Sequence, residues 1–157
     1  MNKIVLASQS PRRKDLLERE GIDFIVDASS IDETLDESLP IEERLKQLAI
    51  SKARPIHDKY PNDIVIGADT IVYHKDCIIG KANNEHEARE ILMKLSKDKH
   101  TVYTAVAIFD KNEIISFVDS TDVYFRDIKD LINDYIESKD WIGKAGAYGI
   151  QSGGSIF

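Results

Sequence analysis

The run DIVIGADTIVY, residues 63–73, decides how the rest of the chain is read. Its β-branched and apolar residues make it the most strand-like stretch of the sequence. Two members do not suit a plain core strand. Gly67 has no side chain and lets another group approach the backbone closely. Asp69 would bury a charge, which is costly unless the carboxylate is paired or binds a metal. Asp69 therefore reads as a general base or a metal ligand. The alternative is a turn aspartate that hydrogen-bonds its own backbone.

Upstream of that run, KIVLA (3–7) reads as a short buried strand. Ser10 reads as a helix N-cap, with Pro11 at the first helical position, where its missing N–H costs nothing. This helix is expected to run to about Glu20 and to end at Gly21. A second strand is expected over 22–27, then an acidic loop over 28–39. A long helix should begin near Pro40, because Leu45, Leu48, Ala49, Ala53 and Ile56 share one face at helical spacing. Pro55 is expected to end or kink it.

Downstream, a hairpin through His74–Asp76 leads into the apolar CIIG segment. Residues 84–97 read as a helix with Ala88, Ile91, Leu92 and Leu95 as its core stripe. Residues 100–125 read as two long strands turning at Lys111 and Asn112. A helix near 127–138 and the glycine-rich KAGAYGIQSGGSIF (144–157) complete the chain. Strands mixed with helices, and a long hairpin among them, predict an α/β fold with a mixed sheet and flanking helices. One domain over 1–157 is expected, without repeats or linkers. Ser155-Ile156-Phe157 reads as the opening of a strand, so a further strand and helix are expected beyond it.

Composition narrows the function. The 157 residues are 42% hydrophobic with a net charge of -7. No basic run exceeds Arg12-Arg13-Lys14, which argues against a nucleic-acid polymer as partner but leaves room for a small anion. The single cysteine, Cys77, excludes a disulfide within the chain and argues against a cysteine-based zinc site. The N-terminal MNKIVLASQS is too short and too soon polar for a signal peptide. No apolar run approaches a membrane span, so a cytoplasmic location is expected. The four histidines (His57, His74, His86 and His100) show no metal spacing, and neither a Walker-type motif nor GxGxxG is present.

Five further constellations could carry chemistry. In SQSPRR, a helix N-terminus, the hydroxyls of Ser8 and Ser10 and the guanidinium groups of Arg12 and Arg13 can together bind phosphate. The plainer reading is a capped helix with two solvated arginines. Lys52 falls in the apolar stripe of the long helix. It either projects into a cleft beside the sheet or snorkels to water. Lys81, after Gly80, is a point charge for phosphate or an ordinary turn lysine. Glu33 in the acidic loop can join Asp69 around a hard divalent cation, which takes one or two carboxylates plus substrate phosphates. In AYGIQSGG, Gln151 offers both a donor and an acceptor, or the segment is a flexible glycine loop.

Taken in order, SQSPRR, the DET loop, SKA, GADT, GK and AGAYGIQ resemble the Maf family of nucleoside triphosphate pyrophosphatases, from Lys3 to Gln151. Arg12, Thr70 and Gln151 match its dTTP/UTP branch rather than the 7-methyl-GTP branch. One departure is Ser152, where family members usually carry glycine. The resemblance implies an inosine triphosphatase-like fold, with two lobes around a cleft. It also implies hydrolysis of dTTP and UTP to the monophosphate and pyrophosphate, as house-cleaning of nucleotide pools. Asp69 is then the general base. Glu33 and Asp69 hold Mg²⁺ or Mn²⁺. Ser8, Ser10, Arg12, Arg13, Lys52 and Lys81 hold the triphosphate. Gln151 reads the O4 and N3–H edge of uracil or thymine, assisted by Arg12 and Thr70. A homodimer is implied as well. The rival readings are a nucleotide-binding regulator of cell division without turnover, and a phosphatase with Asp69 as nucleophile.

Overall fold

The computed structural model describes residues 3–28, 37–149 and 157. In chain order the elements are β1 (Ile4–Leu6), α1 (Pro11–Arg19), β2 (Ile25–Val26), α2 (Ile41–Lys59), β3 (Ile64–His74) and β4 (Cys77–Ile79). They continue with α3 (Glu85–Leu95), β5 (Lys99–Asp110), β6 (Glu113–Tyr124), a 3-10 turn (Lys129–Leu131) and α4 (Ile132–Ser138). Strand order is β2-β1-β3-β5-β6, with β4 alongside β3. The sheet is mixed, as expected. β1 pairs in parallel with both β2 and β3, whereas β4 runs antiparallel to β3.

Local chemistry explains most boundaries. Pro11 opens α1, and Gly21, at φ +68°, turns the chain out of it. Asn84 caps α3 by accepting the Glu87 backbone N–H at 2.8 Å. Lys75 (φ 48) and Asp76 (φ 62) both lie in the left-handed region, the geometry of a two-residue hairpin turn that follows strand twist. Two expectations need correction. The strand expected over 22–27 shrinks to Ile25–Val26, which pair with β1 alone among the described residues and are exposed. Pro55 neither ends nor breaks α2, which continues to Lys59. Pro55 and Ser51 both face solvent, so the Ser51 carbonyl, left without its helical N–H, can be satisfied by water.

The chain forms two compact units, residues 1–69 with 104–119, and residues 70–103 with 120–157. In the first, Leu45, Leu48, Ala49, Ala53 and Ile56 are all buried, as the stripe of α2 requires. Gly67 allows that helix to sit close on β3. A methyl group there would lie 2.8 Å from the Ala53 Cβ and 2.9 Å from the Ala49 carbonyl oxygen. In the second unit, α3 and α4 pack around Leu92, Leu95, Ile128, Ile132 and Phe125. The lone tryptophan, Trp141, is buried there and donates its indole N–H to the Ile136 carbonyl at 3.1 Å.

Candidate active site

The first unit holds six of the expected residues: Ser8, Ser10, Arg12, Arg13, Lys52 and Asp69. β1 delivers the chain to Ser8, which is buried. Its Oγ accepts the Ser10 backbone N–H at 3.2 Å and Arg13 Nη1 at 3.0 Å. Ser10 holds the cap position in extended backbone (φ -67, ψ 119), yet its own hydroxyl makes no capping bond. The turn is closed by Ser8 instead.

The two arginines part company. Arg12 is exposed on α1, whereas Arg13 is half-buried. Arg13 Nη1 also donates to the Ala68 carbonyl at 3.1 Å, which links the start of α1 to the middle of β3. Burial lowers the Arg13 pKa, and the nearby Asp69 carboxylate works against that. The reading of two solvated arginines therefore holds for Arg12 and fails for Arg13.

Asp69 lies within β3, not in a turn, so the turn-aspartate alternative is set aside. Lys52, from α2, places its Nζ 3.0 Å from Asp69 Oδ1, and the two side chains are only 20% and 16% exposed. The snorkelling alternative for Lys52 gives way to this ion pair. Each charge stands alone in an apolar pattern of the sequence. Their opposite signs, on a strand and on the helix that packs against it, were the signal for pairing them. A part-buried pair of this kind is favourable only when both partners stay in place, because losing one leaves the other desolvated.

Two more expected residues fall in the second unit. Thr70 follows Asp69 in β3. Lys81 is exposed, and its backbone bridges to Ala145, while the Gly146 N–H donates to the Gly80 carbonyl at 3.2 Å. The GK and AGAYG motifs thus meet within this unit. Glu33 and Gln151 lie outside the described residues. Asp27, just before the acidic loop, is tied to the end of α2 by Lys59 Nζ at 2.6 Å and the Tyr60 hydroxyl at 2.9 Å. The Lys59 hydrogen bond holds its carboxyl below the usual range.

One network was missed in the sequence. His100, fully buried on β5, shares a 2.6 Å hydrogen bond with the Tyr148 hydroxyl. The Tyr135 hydroxyl accepts the Gly149 N–H at 3.0 Å. These bonds fix the chain at Tyr148 and Gly149. Burial pushes His100 down to about 4 and Tyr148 up to about 12, so both are neutral near pH 7.

Among the described residues, no group of three or more His, Cys, Asp or Glu could hold a metal ion by itself. A magnesium-type ion does not need one, since one or two carboxylates suffice when phosphate oxygens and water complete the shell. Asp69 fits that role as a single protein carboxylate.

A family model described as Maf-like protein matches residues 3–157. The chain belongs to the Maf-like family. Among its relatives, a Bacillus cereus protein named dTTP/UTP pyrophosphatase is 44% identical and spans 100% of this chain and 83% of that protein. A Bacillus thuringiensis protein of the same name has the same identity and coverage. Among solved structures, a HAM1 protein from Coxiella burnetii matches with a TM-score of 0.50 at 16% identity, covering 78% of this chain and 71% of the other. That likeness supports the α/β fold of this Maf-like chain and nothing finer. No helix of the described residues is long and apolar enough to cross a membrane.

Proposed function

We propose that this protein hydrolyses dTTP and UTP between the α and β phosphates, releasing the nucleoside monophosphate and pyrophosphate. The observation that carries the reading is the Lys52–Asp69 pair beside Arg13, a carboxylate set among cations that suit a polyphosphate. Family membership and the names of the relatives support it. Phosphoryl transfer of this kind asks for charge neutralisation and an oriented water rather than a covalent intermediate. In the proposed step, Asp69 takes a proton from water as the water oxygen bonds to phosphorus. The bridging oxygen then departs with the leaving group.

Arg12, Lys52 and Lys81 supply cations to the phosphates. Ser8 and Ser10 shape the turn at the start of α1, and Arg13 steadies the backbone on which Asp69 sits. Asp69, with Glu33, would hold Mg²⁺ or Mn²⁺. Such an ion, when bound, neutralises phosphate charge. Gln151, with Arg12 and Thr70, is assigned to the uracil or thymine edge. The substrate is a free nucleotide of the cytoplasmic pool, and the working assembly is a homodimer.

The test is product identity across a panel of dTTP, UTP, CTP, dATP and GTP with Mg²⁺. Pyrophosphate and monophosphate from dTTP and UTP are expected. Orthophosphate and the diphosphate would show a phosphatase instead, and nucleotide binding without turnover would show a regulator.

A further inference from the structure

The Lys52–Asp69 contact raises a question that phosphate binding alone does not answer. An ammonium meant for a triphosphate is held 3.0 Å from the carboxylate meant for a metal. Both side chains are largely shielded from water, so salt screens their interaction weakly. Arg13 adds a second positive charge that interacts with the same carboxylate. Asp69 therefore lies close to two cations.

We infer that Lys52 guards Asp69 against a bare divalent cation in the nucleotide-free protein, so that metal enters only with the polyphosphate or after it. This rests on the proposed reading of Asp69 as a metal contact. The physical reason is the spacing. A magnesium ion sits about 2.1 Å from a carboxylate oxygen. With Lys52 Nζ at 3.0 Å from Oδ1, an ion on that same oxygen would lie within about 5 Å of the ammonium. Like charges that close, in a part-buried setting, repel strongly. A triphosphate changes the balance. Its oxygens give the ammonium a stronger anionic partner and give the metal its remaining ligands. Lys52 then exchanges a carboxylate for a phosphate, and the carboxylate becomes available to the metal and to water. The same residue thus sets the order of assembly as well as holding substrate.

Binding of Mn²⁺ alone to the purified protein, followed by the loss of free-ion paramagnetic resonance signal, tests this directly. Wild type should bind weakly. Lys52→Met and Lys52→Gln should each tighten binding at least about tenfold, and Lys46→Met, a charge removed from the same helix, should change it less than about twofold. Adding Asp69→Asn to Lys52→Met should abolish the gain. A non-hydrolysable α,β-methylene analogue of dUTP, added without metal, should bind wild type at least about tenfold more tightly than Lys52→Met. Thermal melting identifies which variants are folded. Equal Mn²⁺ affinity in wild type and the folded Lys52 variants would overturn the guarding role, while leaving Asp69 as a metal contact. A gain that survives Asp69→Asn would instead overturn the metal reading itself.

Discussion

Two polar arrangements, one in each unit, solve the same problem in opposite ways. Lys52 and Asp69 form an ion pair across 3.0 Å. His100 and Tyr148 stay neutral and share a hydrogen bond of 2.6 Å in a surround of aromatic rings. The first arrangement is held by a bond that a stronger anion can replace. The second has no such competitor, because neither partner carries charge near pH 7. An exchangeable ion pair suits the proposed ligand site of the first unit, whereas neutral bonds and ring contacts suit a segment held in one place.

The comparison breaks most sharply at Asp69. Asp69→Asn removes the proposed base, and turnover of dTTP should fall by about 10²–10⁴-fold, the range for general acid–base groups. The melting temperature should fall as well, since the amide oxygen still accepts from Lys52 but leaves the part-buried ammonium without its counter-charge. Wild-type pyrophosphate release from the purified variant would end the base assignment.

The next largest effect belongs to the second unit. Tyr148→Phe deletes the hydroxyl that serves His100, whose Nδ1 has no hydrogen-bond partner among the described residues. Stranding a buried imidazole should cost about 1–3 kcal/mol, read from urea unfolding at pH 7. An unchanged unfolding midpoint would show that the bond contributes nothing.

The smallest effect is a slope with pH. Folding holds His100 at about 4 against an ordinary 6.5, so the fold prefers its neutral form. The contribution is complete above 6.5 and is lost as pH falls from 6.5 towards 4. Between pH 7 and 5.5 this amounts to about 1 kcal/mol of stability. His100→Gln should flatten that part of the profile. Asp98 acts in a lower window. The hydrogen bond from His74 holds it at about 2, so its contribution is present above 3.8 and lost between there and 2.

Much of the fold was legible because it rests on local signals. The apolar stripe of α2, the proline at the start of α1 and the turn at Lys111 need only neighbouring residues to be read. The Lys52–Asp69 pair was half legible, as two misplaced charges of opposite sign. Arg12 and Arg13 could not be told apart, because consecutive helical residues point about 100° from one another and docking decides which faces the sheet. The His100–Tyr148 bond spans 48 positions, and its partners come from segments with unrelated patterns. Pro55 misled for a related reason, since its cost depends on whether the orphaned carbonyl meets solvent.

The placement of Trp141 has a consequence for spectroscopy. As the chain's one tryptophan, buried in the second unit with its indole N–H bonded to the Ile136 carbonyl, it makes intrinsic fluorescence a reporter of that unit. Emission traces will follow the melting of the aromatic core and say little about events at Lys52 and Asp69. Circular dichroism, which also samples α2, supplies the complementary view. Unfolding curves from the two signals should coincide if the units melt together and separate if one yields first.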